Sequence, residues 1–182
     1  RDTPFEKIGR FGRRSNRVIL AAVGALLIAF AARAATPPPN IVYILADDLG
    51  IGDVSCYNPK SAWQTPHLDR LARDGLRFTD AHSASSLCTP ARYALLTGRY
   101  AWRGRLKQGV LQGYHPPLIE AHRPTVASFL REHGYTTAVF GKWHLASKPD
   151  YQTWRISFGQ GAYDNPELES ATGKERFPGY TT

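Results

Sequence analysis

Methionine is absent from all 182 residues, position 1 included, and cysteine occurs only at Cys56 and Cys88. A missing initiator is expected when the native start lies upstream, and the closing run Phe177-Pro178-Gly179-Tyr180-Thr181-Thr182 has no domain-ending signal, so the chain is read as a piece of a longer protein. Internal repeats are lacking. The longest apolar run has 15 residues, short of the roughly 20 that cross a bilayer. A scarcity of apolar side chains is not among the absences. At 42% hydrophobic and 12% aromatic residues, the chain has the material for a folded core, which argues against a disordered class.

The net charge of +8 is unevenly placed. Residues 1–35 hold seven basic side chains (Arg1, Lys7, Arg10, Arg13, Arg14, Arg17 and Arg33) against Asp2 and Glu6, a net of +5, which leaves +3 for the rest. The basic excess therefore belongs to a leader and does not indicate a nucleic-acid partner. A basic stretch, then the apolar run from Val18 to Ala32, then Ala32-Arg33-Ala34 before a small-residue cut is the pattern of a signal peptide. The alternative is an uncleaved N-terminal anchor, the only membrane contact expected. Arg13-Arg14 adds twin-arginine export to the options. Residues 1–35 are thus expected to be the leader, 36–39 a Pro-rich spacer and 40–182 the incomplete folded part. The protein is expected to be exported: periplasmic or secreted in a bacterial host, lumenal in a eukaryote.

Beyond the spacer, Asn40-Ile41-Val42-Tyr43-Ile44-Leu45-Ala46 is apolar and β-branched, as in a strand covered on both faces. Thr65 with Pro66 opens a helix that Gly75 closes, and Leu76 to Thr79 forms a short strand. A second helix is expected from about Pro90 to Gly98 and a third from Thr125 to Gly134. Tyr135 to Phe140 is expected to be another buried strand. This alternation predicts an α/β domain with a mostly parallel central sheet and helices on both faces.

Three polar clusters fall at strand ends or a helix start, where open α/β sheets bind ligands. Asp47 and Asp48 are adjacent carboxylates whose repulsion needs a cation or a hydrogen-bond network to offset it, and hard oxygen donors suit Ca²⁺ or Mg²⁺. Lys142 and His144 are two apart, so in an extended segment both side chains share a side. Cys88 precedes Pro90, which is tolerated in a first helical turn, so the cysteine falls at a helix N-terminus that favours negative charge. Arg92 lies one turn on, with a planar guanidinium suited to an oxyanion. Two cysteines in an oxidising compartment also admit a Cys56–Cys88 disulfide, which would block chemistry at Cys88.

The run Cys88-Thr89-Pro90-Ala91-Arg92, followed by Thr97-Gly98, resembles the signature of the type I sulfatases of the alkaline phosphatase superfamily. Gly134 to Leu145 resembles that family's second signature, and Asn40 to Gly50 its opening strand and metal loop; Thr65 to Ala72 also has the family's look. The resemblance covers roughly residues 40–145 in family order. It departs at Ala91, a variant the pattern allows, and at Ala146, where glycine is common.

The resemblance implies an alkaline phosphatase-like α/β sandwich and sulfate-ester hydrolysis. Cys88 would be oxidised by a maturation enzyme to Cα-formylglycine, whose hydrate attacks sulfur. Asp47 and Asp48, with the modified Cys88, would hold one Ca²⁺. Arg92, Lys142 and His144 would contact the hydrate and the sulfate. The family's further metal ligands, and another His and Lys, would come from later in the chain, so these residues alone are expected to be inactive. Two other readings stay open: a phosphonate monoester or phosphodiester hydrolase of the same superfamily, and an exported protein that binds an anion or Ca²⁺ without turnover.

Overall fold

The computed structural model describes residues 37–111, 115–157 and 164–179. The leader expected at residues 1–35 lies outside them. The chain divides into two compact units, one ending at Ile44 and the other starting at Leu45. In the described part of the first unit, residues 37–44 form neither helix nor strand, and Ile41, Val42, Tyr43 and Ile44 are exposed. The strand expected over Asn40–Ala46 is therefore not formed. An apolar run becomes a strand only where another backbone completes its ladder, and none of the described strands pairs with it.

The second unit supplies three helices. Helix α1, Pro66–Asp74, places its proline in the first turn and ends with the Gly75 amide donating to the Leu71 carbonyl at 3.0 Å. Thr65 does not cap it as expected. Its hydroxyl accepts from the Ser55 amide at 2.9 Å and donates to Asp69 Oδ1 at 3.1 Å, because a carboxylate is the stronger partner. Helix α2, Cys88–Thr97, begins two residues before Pro90. Pro90 is then the third helical residue, whose missing N–H is one of the four that lack an intrahelical acceptor in any case. Helix α3, Val126–Glu132, is closed by reciprocal bonds: the Ser128 amide donates to Thr125 Oγ1 at 3.1 Å and the Thr125 amide to Ser128 Oγ at 2.9 Å.

The sheet has four strands in the order β1 (Ala138–Lys142), β2 (Thr153–Ser157), β3 (Glu167–Ser170) and β4 (Gly173–Arg176). The β1–β2 pair is parallel and the other two pairs are antiparallel, so the fold is α/β with a mixed sheet among the described residues. Strand β1 starts three residues later than expected. A turn in which the Tyr135 amide donates to the Leu130 carbonyl, with Gly134 at φ +83°, carries the chain away from α3 first. Nor is β1 buried on both faces: Phe140 is exposed, as fits a strand with one neighbour. Leu76–Thr79 forms no strand either. Without a ladder partner it is held by the Tyr57 hydroxyl donating to the Phe78 carbonyl at 2.9 Å and by Arg77 over the Tyr57 ring.

The core joins the sheet to α2. Tyr93 and Leu96 of the helix pack in one cluster with Leu111, Leu118, Trp143, Leu145, Trp154 and Ile156. Leu145 and Ile156 are fully buried, which anchors the segment after β1 beneath the helix. Helix α2 ends at Gly98, in the left-handed region at φ +64°, its amide donating to the Ala94 carbonyl at 2.8 Å. A Cβ at Gly98 would meet nothing within 4 Å, so only backbone conformation opposes a side chain there. Gly98→Ala in the full-length protein should therefore cost about 1–2 kcal/mol, and Gly98→Asn clearly less. Urea unfolding of the three proteins measures the order.

Candidate active site

Asp47 is where the segments converge. Lys142, the last residue of β1, donates from Nζ to Asp47 Oδ2 at 2.6 Å, and Arg92 of α2 donates from Nη2 to Asp47 Oδ1 at 3.2 Å. Arg92 Nη1 also donates to the Lys142 carbonyl at 2.6 Å. These groups are largely out of water: Arg92 and Lys142 side chains are 11% and 9% exposed and Asp47 22%. Burial pushes the Asp47 carboxyl up, but the hydrogen bonds and charges of Lys142 and Arg92 outweigh it and hold the group below its ordinary value. Asp47 is thus a firm carboxylate, and two cations share it. Asp48 is exposed, at φ +59° in the left-handed region that Asp tolerates.

Cys88 is the first residue of α2, one turn before Arg92 on the same helix face. Cys56 and Cys88 are not bridged, so the disulfide alternative is not realised among the described residues. Thr89 is fully buried. Its hydroxyl donates to the His144 carbonyl and accepts from the Leu111 amide, both at 3.2 Å. His144 Nε2 lies 2.9 Å from the Leu111 carbonyl. A carbonyl only accepts, so Nε2 carries the proton, and in the neutral ring Nδ1 is the acceptor. Nδ1 is buried and has no hydrogen-bond partner among the described residues.

The structure brings Asp47, Arg92 and Lys142 into direct contact and connects Cys88 to His144 through the neighbouring Thr89. It does not keep Lys142 and His144 on one side by strand alternation. His144 takes φ +57°, outside β1, and its ring goes to Leu111 rather than to the Asp47 cluster. Thr89 and the Leu111 backbone were not read from the sequence. Thr89 occupies an unspecified place in the Cys-x-Pro motif, and a main-chain partner leaves no mark on side-chain identity. Among the described residues no group of three or more His, Cys, Asp or Glu side chains is placed to hold a metal. The cluster has two cations for one engaged carboxylate and so a surplus positive charge. Such an arrangement is suited to an oxyanion.

A family model described as Sulfatase matches residues 39–182. An N-acetylgalactosamine-6-O-sulfatase of Bacteroides thetaiotaomicron is 50% identical over 111 residues, 61% of this chain and 21% of that protein. Human arylsulfatase A is 48% identical over 132 residues, 72% of this chain and 26% of that protein. A solved structure described as a complex with its substrate D-glucosamine-2-N,6-O-disulfate is 31% identical with a TM-score of 0.65, over 78% of this chain and 28% of that one. These likenesses give the α/β unit the alkaline phosphatase-like architecture. The chain spans about a quarter of the length of the curated relatives it matches.

Burial pushes the His144 imidazole below its ordinary 6.5; the Leu111 carbonyl opposes this, and the charges of Lys142 and Arg92 add to it. The unfolded chain then binds a proton at this residue before the folded one does. Stability is therefore full above about 6.5 and falls as pH drops from there toward the lower folded value. Melting of the full-length protein across this range should show that slope, and His144→Gln should flatten it. An unchanged slope in the variant would refute the assignment.

Proposed function

The chain belongs to the sulfatase family, and we propose that the intact protein hydrolyses sulfate esters with a nucleophile made from Cys88. The observation that carries this reading is the Arg92–Asp47–Lys142 cluster, whose arginine lies on the helix that Cys88 begins. A sulfate at the N-terminus of α2 would meet the helix dipole and two partly desolvated cations. The names of the relatives include an amino-sugar and an aryl substrate. The proposal is the chemistry they share, not one of those substrates.

Formylglycine, made from Cys88 by a maturation enzyme, supplies as its hydrate an attacking hydroxyl with a second hydroxyl beside it, through which sulfate can later be eliminated. Around that position Arg92 and Lys142 bind and orient the sulfate oxygens and stabilise the charge that builds on them. His144 offers a buried, unprotonated Nδ1, which can accept a hydrogen bond or a proton from a hydroxyl brought against it. Asp47 keeps the two cations apart and oriented.

Asp47 and Asp48 fit a hard cation by donor type, and the low proton affinity of Asp47 keeps it ionised for that role. They are part of a donor set, since Ca²⁺ takes about six to eight oxygens. When bound, Ca²⁺ would supply positive charge beside the sulfate. Residues 1–35 are read as an export leader, on the pattern of their sequence, with the folded part acting in the periplasm or outside the cell.

Mass spectrometry of protein from its native host should find the Cys88 peptide lighter by about 18 Da, with H₂S lost and O gained. Purified full-length enzyme should hydrolyse an aryl sulfate faster than a phosphodiester or a phosphonate ester. An unmodified Cys88, or a sulfate ester that is the poorest substrate by orders of magnitude, would overturn the reading.

A further inference from the structure

Three hydrogen bonds close a ring around one buried hydroxyl. Thr89 Oγ1 donates to the carbonyl of His144, the Leu111 amide donates to Thr89 Oγ1, and His144 Nε2–H donates to the Leu111 carbonyl. Each member comes from a different segment: the first turn of α2, the loop at Leu111 and the turn after β1. All three residues are buried, Thr89 at 0% exposure, Leu111 and His144 at 5%. Nothing else about position 89 asks for a hydroxyl. It is not the helix cap, which is Leu87, and its methyl group alone would fill the site as well in a valine.

We propose that Thr89 is a positioning residue for catalysis: its hydroxyl sets the first turn of α2, and with it residue 88, against the backbone of His144. The ring fixes two things at once. By engaging both the carbonyl of His144 and the amide of Leu111, Thr89 holds Leu111 where its carbonyl receives Nε2–H. That bond holds the imidazole in the tautomer whose open acceptor is Nδ1. A hydroxyl is the one small side-chain group that donates to one backbone group and accepts from another at the same atom. Valine has the same shape and does neither, leaving a buried carbonyl and a buried amide unpaired. Serine does both.

This role rests on the sulfatase reading, and its test keeps the two apart. The full-length enzyme, matured in its native host, is first shown to carry the converted Cys88 and to turn over an aryl sulfate; failure there counts against the function and not against Thr89. Thr89→Val is then expected to lower kcat about 10- to 100-fold, as a reacting group misplaced by up to about 1 Å does, with KM within about threefold. Thr89→Ser should recover kcat to within about threefold of the parent. Rates are expressed per converted Cys88, because position 89 lies inside the segment that the maturation enzyme reads. In a His144→Ala background, Thr89→Val should cost less than it does in the parent, since the part of its effect that runs through the imidazole is already lost. Should the valine variant fail to mature, Thr89→Ala takes its place in the same comparison. Parental kcat in Thr89→Val, a serine variant as impaired as the valine one, or full additivity with His144→Ala would each overturn the proposal. So would failure of both the valine and alanine variants to mature, which would give the hydroxyl to folding or maturation.

Discussion

Asp47 accepts from Lys142 and Arg92 at once, and the site's geometry depends on that sharing. The two cations are about nine-tenths withdrawn from water, and Arg92 reaches the backbone at Lys142 as well. Without a carboxylate between them their repulsion would act in a medium that screens it poorly, several times more strongly than on an open surface. With it, the end of β1 and the first turns of α2 are held at a fixed separation. An arrangement of this type adds little net stability, because desolvating three ions offsets much of their attraction. What it provides is position. The same surplus of positive charge that Asp47 partly neutralises is what an incoming oxyanion would meet, so the structural and chemical demands are satisfied by one set of side chains.

A metal ligand role for Asp47 has to coexist with these two bonds. Each carboxylate oxygen has two lone-pair directions, so one carboxylate accepts up to about four contacts. Arg92 takes one on Oδ1 and Lys142 one on Oδ2, so by lone-pair count a cation would not have to displace either. Asp48 is free of the constraint by exposure, and its left-handed backbone turns the chain sharply after Asp47. A hard cation would therefore join a carboxylate that is already ionised and already oriented, and the lowered proton affinity of Asp47 is a consequence of protein cations rather than a sign of the metal.

Local rules read well in the sequence wherever a local cause sets the structure. Gly98 ends α2 and Thr125 caps α3 because those signals act within one turn of chain. Asp47, Cys88, Arg92, Lys142 and His144 were legible as motif positions. The strands fared worse: Asn40–Ala46 and Leu76–Thr79 have the right composition, but a ladder needs a second backbone that composition does not specify. The placement of His144 departs from strand alternation for a related reason. Strand alternation stops at Lys142, where the chain leaves β1 and bonds the ring to a main-chain carbonyl 33 residues earlier.

The turn after β1 accounts for the placement of His144 and for one departure from the family pattern together. His144 and Ala146 both lie in the left-handed region, at φ +57° and +55°, on either side of the fully buried Leu145. Two such residues in three fold the chain so that Trp143, His144 and Leu145 are all buried, which no strand facing water on one side could do. Position 146 is where glycine is common, and its backbone conformation is one that glycine adopts without strain. Alanine there costs about 1–2 kcal/mol in the folded state, while it stiffens the unfolded chain by about 0.4–1 kcal/mol in the opposite sense. The remainder is small against the burial of Leu145 and Trp143 beside it, each a contribution of roughly 1.5–3 kcal/mol or more. Packing therefore holds the conformation that glycine would otherwise have been needed for, and the same packing seals His144 away from water with its Nδ1 unpartnered.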